Sequence, residues 1–463
     1  MVTETSEQKR SVDCDVVIIG SGVLGSALAT TMARNGRQVT VIERDLKEPD
    51  RIVGELLQPG GCQALEKLGL EGCLEGFDAH TIKGYVLHEA KTKSKVHVPY
   101  PTDENGSTWG KAFHHGKFVM ALRRAAMAEE NTHYIEGTVT ELLEENGITI
   151  GVEYKERATG ELKQVYAALT VVADGCFSKF RKNLVKLSPT VPSHFAALVL
   201  KDCPQSIDNH AELVLMEPSP VLIYQISSNE TRILIDLKSG MPPNSKEYMR
   251  DTIAPNLPEH IRGPFLRALE VDRIRSMPNS WLPPVPIIKP GVVCLGDAVN
   301  MRHPLTGGGM SVAFNDVVLF HEYFKDIKDL HDYSRVMRAI KDLYIGRKKR
   351  QSFVVNVMSM ALYELFAADD AHLKRLKDAC FAYFQLGGEC VNGPVSLLSI
   401  MNPSPGVFLT HFFAVAMYAV YFQFKTEPWW ALHRSLYSSA GILVKASCIL
   451  FPLVWDELKT VVH

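Results

Sequence analysis

The stretch from Val16 to Glu43 constrains the fold more than any other part of this 463-residue chain. Val16 to Ile19 is an unbroken run of β-branched residues and reads as a buried strand. GSGVLG follows from Gly20 to Gly25, then a helical pattern from Leu28 to Arg34, a stop at Gly36, and a second strand from Val39 to Ile42 that ends on Glu43. In a strand, turn and helix of this kind each glycine has a separate task. Gly20 makes the turn, Gly22 lets bare backbone approach a pyrophosphate, and Gly25 lets the helix lie close to the strand. Glu43, about 20 residues further on, can bind a ribose hydroxyl pair. An acid there, with no site for a 2′-phosphate nearby, favours FAD or NAD over NADP. A purely structural glycine turn is the alternative, and the second strand with its terminal acid weighs against it.

A matching feature lies far along the chain. Gly291 to Met310 reads GVVCLGDAVNMRHPLTGGGM, a short apolar strand that ends on Gly296-Asp297, a turn at Pro304, then Gly307, Gly308 and Gly309 before a helical pattern from Met310. Leu169 to Ala173 is a third buried strand and also ends on an acid, Asp174-Gly175. A simple NAD domain is complete within about 150 residues. A chain that leaves its first sheet after Arg181 and returns to it at Val292 fits a two-domain flavoprotein better.

Composition excludes other classes. Fifty Lys and Arg nearly balance 52 Asp and Glu, for a formal charge of −2, so no overall field points to nucleic acid. The nine cysteines show no CxxC pair and no metal-ligand spacing, which reads as reduced, packed thiols facing the cytosol. The polar stretch from Met1 to Asp15 carries the expectation of no secretory signal.

Between these landmarks the pattern is plainer. Arg44 to Gly61 reads as a polar loop leading into a helix from Cys62 to Leu68, and Tyr85 and Leu87 mark an alternating strand. Pro99 to Gly110 is polar and turn-rich, and His114 and His115 open a helix from Phe118 to Met127, where capping and loop packing explain the pair. Val139 to Leu143 and Ile148 to Tyr154 read as strands joined at Asn146-Gly147. Phe195–Leu200, Ala211–Leu215, Val221–Ser227 and Arg232–Leu237 alternate at close spacing, which predicts an antiparallel sheet lying over a flavin. Arg347 to Arg350 is a basic run, expected on a solvated helix face or against anionic lipid or an acidic partner.

No Asp, Glu, Lys or Arg occurs from Cys390 to Phe424, and Val407 to Phe424 reaches the lower length for crossing a bilayer. A second apolar stretch, Leu436 to Trp455, holds Lys445 and Pro452. A lysine at mid-span costs about 2.5–3.5 kcal/mol on insertion scales. Two helices dipping into one leaflet, with Trp429 and Trp430 at headgroup level, accommodate both facts. A spanning hairpin and plain soluble core are the other readings.

GSGVLG, VADGCFSKFR and CLGDAVNMRHPLTGGGM together resemble the three signatures of single-component, FAD-dependent monooxygenases of the aromatic-hydroxylase type. More narrowly, VIERDLKEPDRIVGELLQPGG, FHHGKF, RHPLTGGGM and LGGECVNGPVSLLS closely resemble the squalene monooxygenase (squalene epoxidase) family, from about Asp15 to His463. The resemblance implies an α/β fold, an FAD-binding Rossmann-like domain with an inserted antiparallel substrate domain and a membrane-associated helical end. The expected boundaries are a polar amino terminus at 1–14, the FAD domain at 15–183 and 291–345, the substrate domain at 184–290 and the anchoring region at 346–463.

It also implies the chemistry. Squalene is an alkene without a polar handle, so epoxidation needs an electrophilic oxygen, which reduced flavin makes by trapping dioxygen as its 4a-hydroperoxide. Glu43 should bind the adenosine ribose with Arg44 beside it, and Arg51 and Arg123 should lie near the phosphates or the flavin edge. Val23, Leu24, Leu56 and Val139 should contact FAD, and Asp297 should accept hydrogen bonds from its ribityl chain or phosphate linkage. Pro304 and Gly307 to Met310, with Gly308 and Gly309 between them, place a helix N-terminus against reduced flavin. Gln58 and Tyr85 match a hydrogen-bonded pair at the active site. Tyr224, Phe366, Phe381, Phe384 and His411 are candidates to line an apolar pocket, or else are core aromatics. Asp174 either caps its own strand, or binds FAD or gates its reduction.

One GxGxxG and no second nucleotide fold argue against a tightly held NADPH, and the resemblance implies that electrons come from NADPH through a separate membrane-bound cytochrome reductase. The implied place is the cytosolic face of the endoplasmic reticulum membrane. Longer family members carry an amino-terminal regulatory extension, and about 15 residues here precede the first strand, so sterol-responsive turnover is not assumed. A phenol-type hydroxylase or prenyl-lipid reductase is one rival reading; a non-catalytic carrier of prenylated proteins is another.

Overall fold

Five parallel strands organise the first lobe of the computed structural model, which describes residues 12–459 apart from 104–105, 186, 218, 368–369, 429 and 431. In spatial order they are Thr132–Glu145, Val39–Glu43, Cys14–Ile19, Leu162–Val172 and Val292–Cys294. Ile19 lies level with Ile42 and Val172, and Val172 with Cys294, so their carboxyl ends share one edge. Open parallel sheets bind ligands at that edge. Val16, Ile18, Val41, Leu169, Val171 and Val293 are fully or nearly fully buried, because helices cover the sheet as its unbroken β-branched runs require. The outer parts of Thr132–Glu145 and Leu162–Val172 continue past the parallel sheet and pair antiparallel with Ile148–Glu156. Asn146 and Gly147 both take positive φ at the expected turn, as a two-residue hairpin demands.

The second lobe is a seven-stranded sheet. Its order is Arg275–Trp281, Thr190–Lys201, Glu230–Leu237, Val221–Gln225, Ala211–Leu215, Gly84–Glu89 and Ser94–Pro99. Neighbours are antiparallel except Ala211–Leu215 and Gly84–Glu89, which are parallel. The expectation of a sheet built within residues 184–290 is therefore corrected: two strands come from the first segment of the chain. Tyr85 and Leu87 alternate as any half-buried strand does, and alternation does not name a partner. One face of the sheet packs on the helix Glu259–Val271 through Ile261, Phe265 and Leu269. The other face meets the carboxyl-terminal helices through Phe195, Leu234, Tyr363 and Phe366.

Two further expectations change. Gly60 and Gly61 lie inside the helix Pro59–Lys67 rather than ahead of it, and a Cβ on Gly60 would stand 2.2 Å from the Ile400 carbonyl oxygen. The basic run is a solvated face only at Lys349 and Arg350. The chain is helical from Tyr333 to Phe366 through a π-helical turn, Lys348–Ser352, so the boundary expected at 345/346 falls inside this run. Arg347 at that turn is buried, 2.8 Å from Asp316 and 2.8 Å from the Asn300 side chain. Lys348 reaches the Glu457 carbonyl, and Arg350 pairs with Glu322 at 2.6 Å.

At the carboxyl end, Pro405–Lys425 and His433–Lys459 are long and apolar enough to cross a membrane by length and composition. Met417, Tyr437, Val444, Phe451 and Trp455 are exposed along them. Lys445 lies 3.3 Å from Asp370. Trp430 is exposed, while Trp429 and the amino-terminal stretch 1–11 lie outside the described residues.

Candidate active site

The glycine turn behaves as its spacing predicts. Gly20 takes φ +98°, and a Cβ there would stand 2.7 Å from the Ala173 carbonyl oxygen. A Cβ on Gly25 would lie 2.0 Å from the Gly20 carbonyl oxygen, whereas one on Gly22 would meet nothing within 4 Å. Gly22 precedes the helix Val23–Arg34, so the open side of the turn faces a helix N-terminus. Glu43 accepts from Ser21 N at 2.6 Å and from Asp45 N at 3.2 Å, which leaves each carboxylate oxygen a further lone pair. Arg123 is buried and donates to the carbonyls of Ser21 (2.9 Å), Asp45 (3.2 Å) and Lys47 (3.0 Å). It ties the glycine turn to the loop after Glu43, beside Glu43 at 3.5 Å.

Both strand-end acids emerge at the same edge. Asp174 Oδ2 accepts from Lys179 N at 3.0 Å, which caps its own turn. Its Oδ1 is buried with no hydrogen-bond partner, and burial pushes its pKa above the ordinary carboxylate value. A buried, unpaired carboxylate oxygen at this edge fits a bound group that donates to it. Asp297 is exposed. Arg181 joins the two loops by donating to the carbonyls of Gly175, Cys176, Asp297 and Ala298 at 2.8–3.1 Å.

Arg302 and His303 secure the turn that follows. Arg302 donates to Asn356 at 2.9 Å and to Asn300 at 2.7 Å, and burial lowers its pKa to about 10. His303 is fully buried and stacks on Tyr363 with centroids 4.0 Å apart. Its Nδ1 accepts from Leu305 N at 3.3 Å, and its Nε2 lies 3.1 Å from Ser193 Oγ. Ser193 donates to Asp236, which also takes a hydrogen bond from Asn279 at 3.2 Å. Burial lowers the His303 pKa to about 3 and raises that of Asp236 to about 6. Since Ser193 gives its proton to Asp236, His303 Nε2 is the donor to Ser193, and the ring is neutral. The turn is thus fastened to three strands of the second sheet. It closes in the 3-10 turn Pro304–Thr306, with Gly307 left-handed at φ +62°, before the helix Gly309–Phe324.

A cavity of about 840 Å³ connects these parts. Its polar end is lined by Gly20, Gly22, Val23, Leu24, Glu43 and Arg44. Arg51, Arg123, Val139, Asp174 and Asp297 continue it, followed by Leu56, Pro304, Gly307, Gly309 and Met310. Tyr85, Tyr224, Phe366 and Phe384 line the apolar end with Leu234, Leu362 and Leu398. Gln58 is fully buried behind Tyr85 and donates to its hydroxyl at 2.5 Å and to the Thr306 carbonyl at 2.8 Å.

Besides Gln58, four predicted residues do not line the cavity. Gly25 packs behind the turn, and Gly308 faces Val355, whose Cγ1 would lie 2.8 Å from an added Cβ. Phe381 is buried in the apolar core of the carboxyl helices, and His411 is 3.0 Å from the Tyr383 hydroxyl and against Gly393. Sequence reasoning missed Arg181, His303, Tyr100 and the buried pair Glu55–Arg232, bidentate at 2.7 and 2.8 Å. Only Tyr100 left a signal. It stands two residues beyond Val98, which pairs with Tyr85, so one face of the hairpin carries both rings. Among the described residues, no group of His, Cys, Asp or Glu could hold a metal.

The fold defined by these two lobes is that of flavin-dependent monooxygenases and halogenases. The flavin-dependent brominase Bmp2 superposes with a TM-score of 0.66 at 17% identity, over 88% of this chain and 98% of that one. A probable FAD-dependent monooxygenase from Pseudomonas aeruginosa, PqsL, gives 0.59 at 17% identity, over 82% and 99%. Sequence comparison narrows the class. The squalene epoxidase family profile matches residues 166–437. Squalene monooxygenase of Mus musculus is 56% identical, over 97% of this chain and 79% of that protein. Squalene epoxidase erg1 of Schizosaccharomyces pombe is 40% identical, over 97% and 99%. The chain belongs to the squalene epoxidase family.

Proposed function

We propose that this chain binds FAD and epoxidises squalene to (S)-2,3-oxidosqualene, with dioxygen as the oxygen source. Electrons reach it from NADPH through a separate membrane-bound reductase. The observation that carries the reading is the single cavity. It runs from the glycine turn and strand-end acids to an apolar end beneath the second sheet. The bound flavin would supply the electrophilic oxygen as its 4a-hydroperoxide; the chain's part is position and dryness.

Gly22 and the helix N-terminus behind it take the pyrophosphate, and the free lone pairs of Glu43 take ribose hydroxyls. Asp297 accepts from the ribityl chain, and Asp174 Oδ1 takes a donor of the bound cofactor. Gly307 N–H is taken by the Pro304 carbonyl, and the backbone N–H groups of Gly308 to Met310, where the helix begins, would favour negative charge on the ring. Gln58 orients Tyr85 between the two ends of the cavity. Leu234, Leu362, Phe366, Phe384 and Leu398 exclude water from the alkene end. Arg51 at the polar mouth and Tyr224 at the apolar end act through the same division.

The exposed apolar faces of the last two helices seat the protein in one leaflet, on the cytosolic face of the endoplasmic reticulum membrane. A substrate that dissolves only in lipid enters from that side. The test is to incubate purified protein with FAD, NADPH, a microsomal reductase and squalene in detergent, and to assay 2,3-oxidosqualene by mass spectrometry. The expected result is epoxide that depends on the reductase. Product without reductase overturns the donor, and a loaded, reducible flavin that makes no epoxide overturns the activity.

A further inference from the structure

Beside the expected Gln58–Tyr85 pair stands a third polar side chain. Tyr100 is 4% exposed and donates its hydroxyl to Gln58 Oε1 at 2.6 Å. The orientation of the Gln58 amide follows from its other neighbour. The Thr306 carbonyl can only accept, so Nε2 must face it and Oε1 must face Tyr100. Both N–H groups of Gln58 are then taken up, one by Thr306 and one by the Tyr85 hydroxyl oxygen. Tyr85 is therefore an acceptor towards Gln58 and keeps its own proton. The Tyr100 oxygen is 3.4 Å away, beyond the reach of an ordinary O–H···O bond, so that proton is not directed back into the trio. The two rings meet edge to face, with centroids 5.7 Å apart at 88°, which fixes the direction of Tyr85. Of the three residues, Tyr85 alone lines the cavity.

We propose that Tyr100 is a positioning residue for oxygen transfer: by holding Gln58 Oε1 it leaves Tyr85 with a hydroxyl proton directed into the cavity, where it meets the transferred oxygen. This rests on the reading of the chain as a squalene epoxidase. Burial raises the pKa of both tyrosines, so both hydroxyls stay protonated at neutral pH. An alkene offers that proton no acceptor, whereas an epoxide oxygen does. The donor therefore acts only once oxygen arrives, which favours the transition state and product over the substrate.

Tyr100→Phe keeps the ring and its packing and removes only the hydroxyl. Two quantities are measured: kcat and KM for squalene, and the ratio of 2,3-oxidosqualene to squalene affinity for the resting oxidised protein, by calorimetry in detergent. Loss of one neutral hydrogen bond predicts about a tenfold fall in kcat with little change in KM. The affinity ratio should fall to a similar extent, and by the same amount in Tyr85→Phe. On a Tyr85→Phe background, Tyr100→Phe should add nothing. An unchanged affinity ratio, or a full second loss in the double variant, overturns the proposal and leaves Tyr100 a packing residue. Should Tyr100→Phe not fold, Gln58→Met must lower the ratio, and an unchanged ratio overturns the proposal equally. Wild-type protein that makes no epoxide overturns the functional reading instead, a result visible before any variant is compared.

Discussion

Gly22 and Gly25 stand three residues apart and answer to different partners. An added methyl at Gly25 meets the chain's own backbone at 2.0 Å, while at Gly22 it projects into open space beside the cavity. Gly25→Ala should therefore destabilise the cofactor-free protein by about 1–3 kcal/mol, as overpacking does. Gly22→Ala should leave its melting unchanged while FAD affinity falls at least about tenfold, the loss of roughly one close backbone contact. Thermal melts of stripped protein and FAD titration separate the two, and equal destabilisation would contradict the division. The close approach of Gly25 to Gly20 was legible in the sequence because the two lie within one turn of chain, whereas the approach of Gly20 to Ala173 comes from a distant strand. Arg123 shows the limit. The resemblance implied a place near the phosphates or the flavin edge; Arg123 does line the cavity, but three carbonyls and the nearby Glu43 hold its guanidinium, partners brought to it by folding.

Among the elements, the last two helices depart furthest from ordinary soluble packing. Met417, Val444, Phe451 and Trp455 are each more than half exposed, an apolar surface larger than scattered leucines account for. Met417→Glu combined with Val444→Glu should abolish flotation of the protein with phospholipid vesicles, since each charge costs about 2.5–3.5 kcal/mol in hydrocarbon. FAD content should not change, because neither residue lines the cavity. Flotation equal to wild type would remove these faces from the membrane contact. Length and composition made both helices legible. The partner of Lys445 was not: the argument against spanning treated its charge as isolated, and Asp370 stands 3.3 Å away. The basic run divides for a similar reason: Lys349 and Arg350 are exposed as expected, while Arg347 is buried onto Asp316, a partner supplied by a distant helix.

At the scale of the molecule, the two lobes join at His303, Ser193, Asp236 and Asn279, and that junction carries opposed pH dependences. His303 has its pKa lowered from 6.5 to about 3, so its contribution is present above 6.5 and lost as pH falls toward 3. Asp236 has its pKa raised from 3.8 to about 6, so its contribution is present below 3.8 and lost as pH rises through 6. Between about pH 4 and 6 the slopes oppose each other, each at most about 1.4 kcal/mol per pH unit. Asp236→Asn removes one of them. Relative to wild type, the variant should lose roughly 2 kcal/mol more between pH 6 and pH 4, as read from denaturant melts. A wild-type-to-variant difference that stays constant across that range would refute the pairing. The sequence by itself determined the α/β class, the strand–turn–helix–strand succession at the glycine turn, the return of the chain at Val292 and the apolar end, because apolar runs, turn glycines and strand-end acids are local signals. Only the tertiary structure decided that Gly84–Glu89 and Ser94–Pro99 complete the second sheet, that Arg347 and Arg232 are buried ion-pair partners, and that Tyr100 stands behind Gln58. Each of these depends on which distant segments meet and on how much water they exclude, and neither is written in spacing or propensity along the chain.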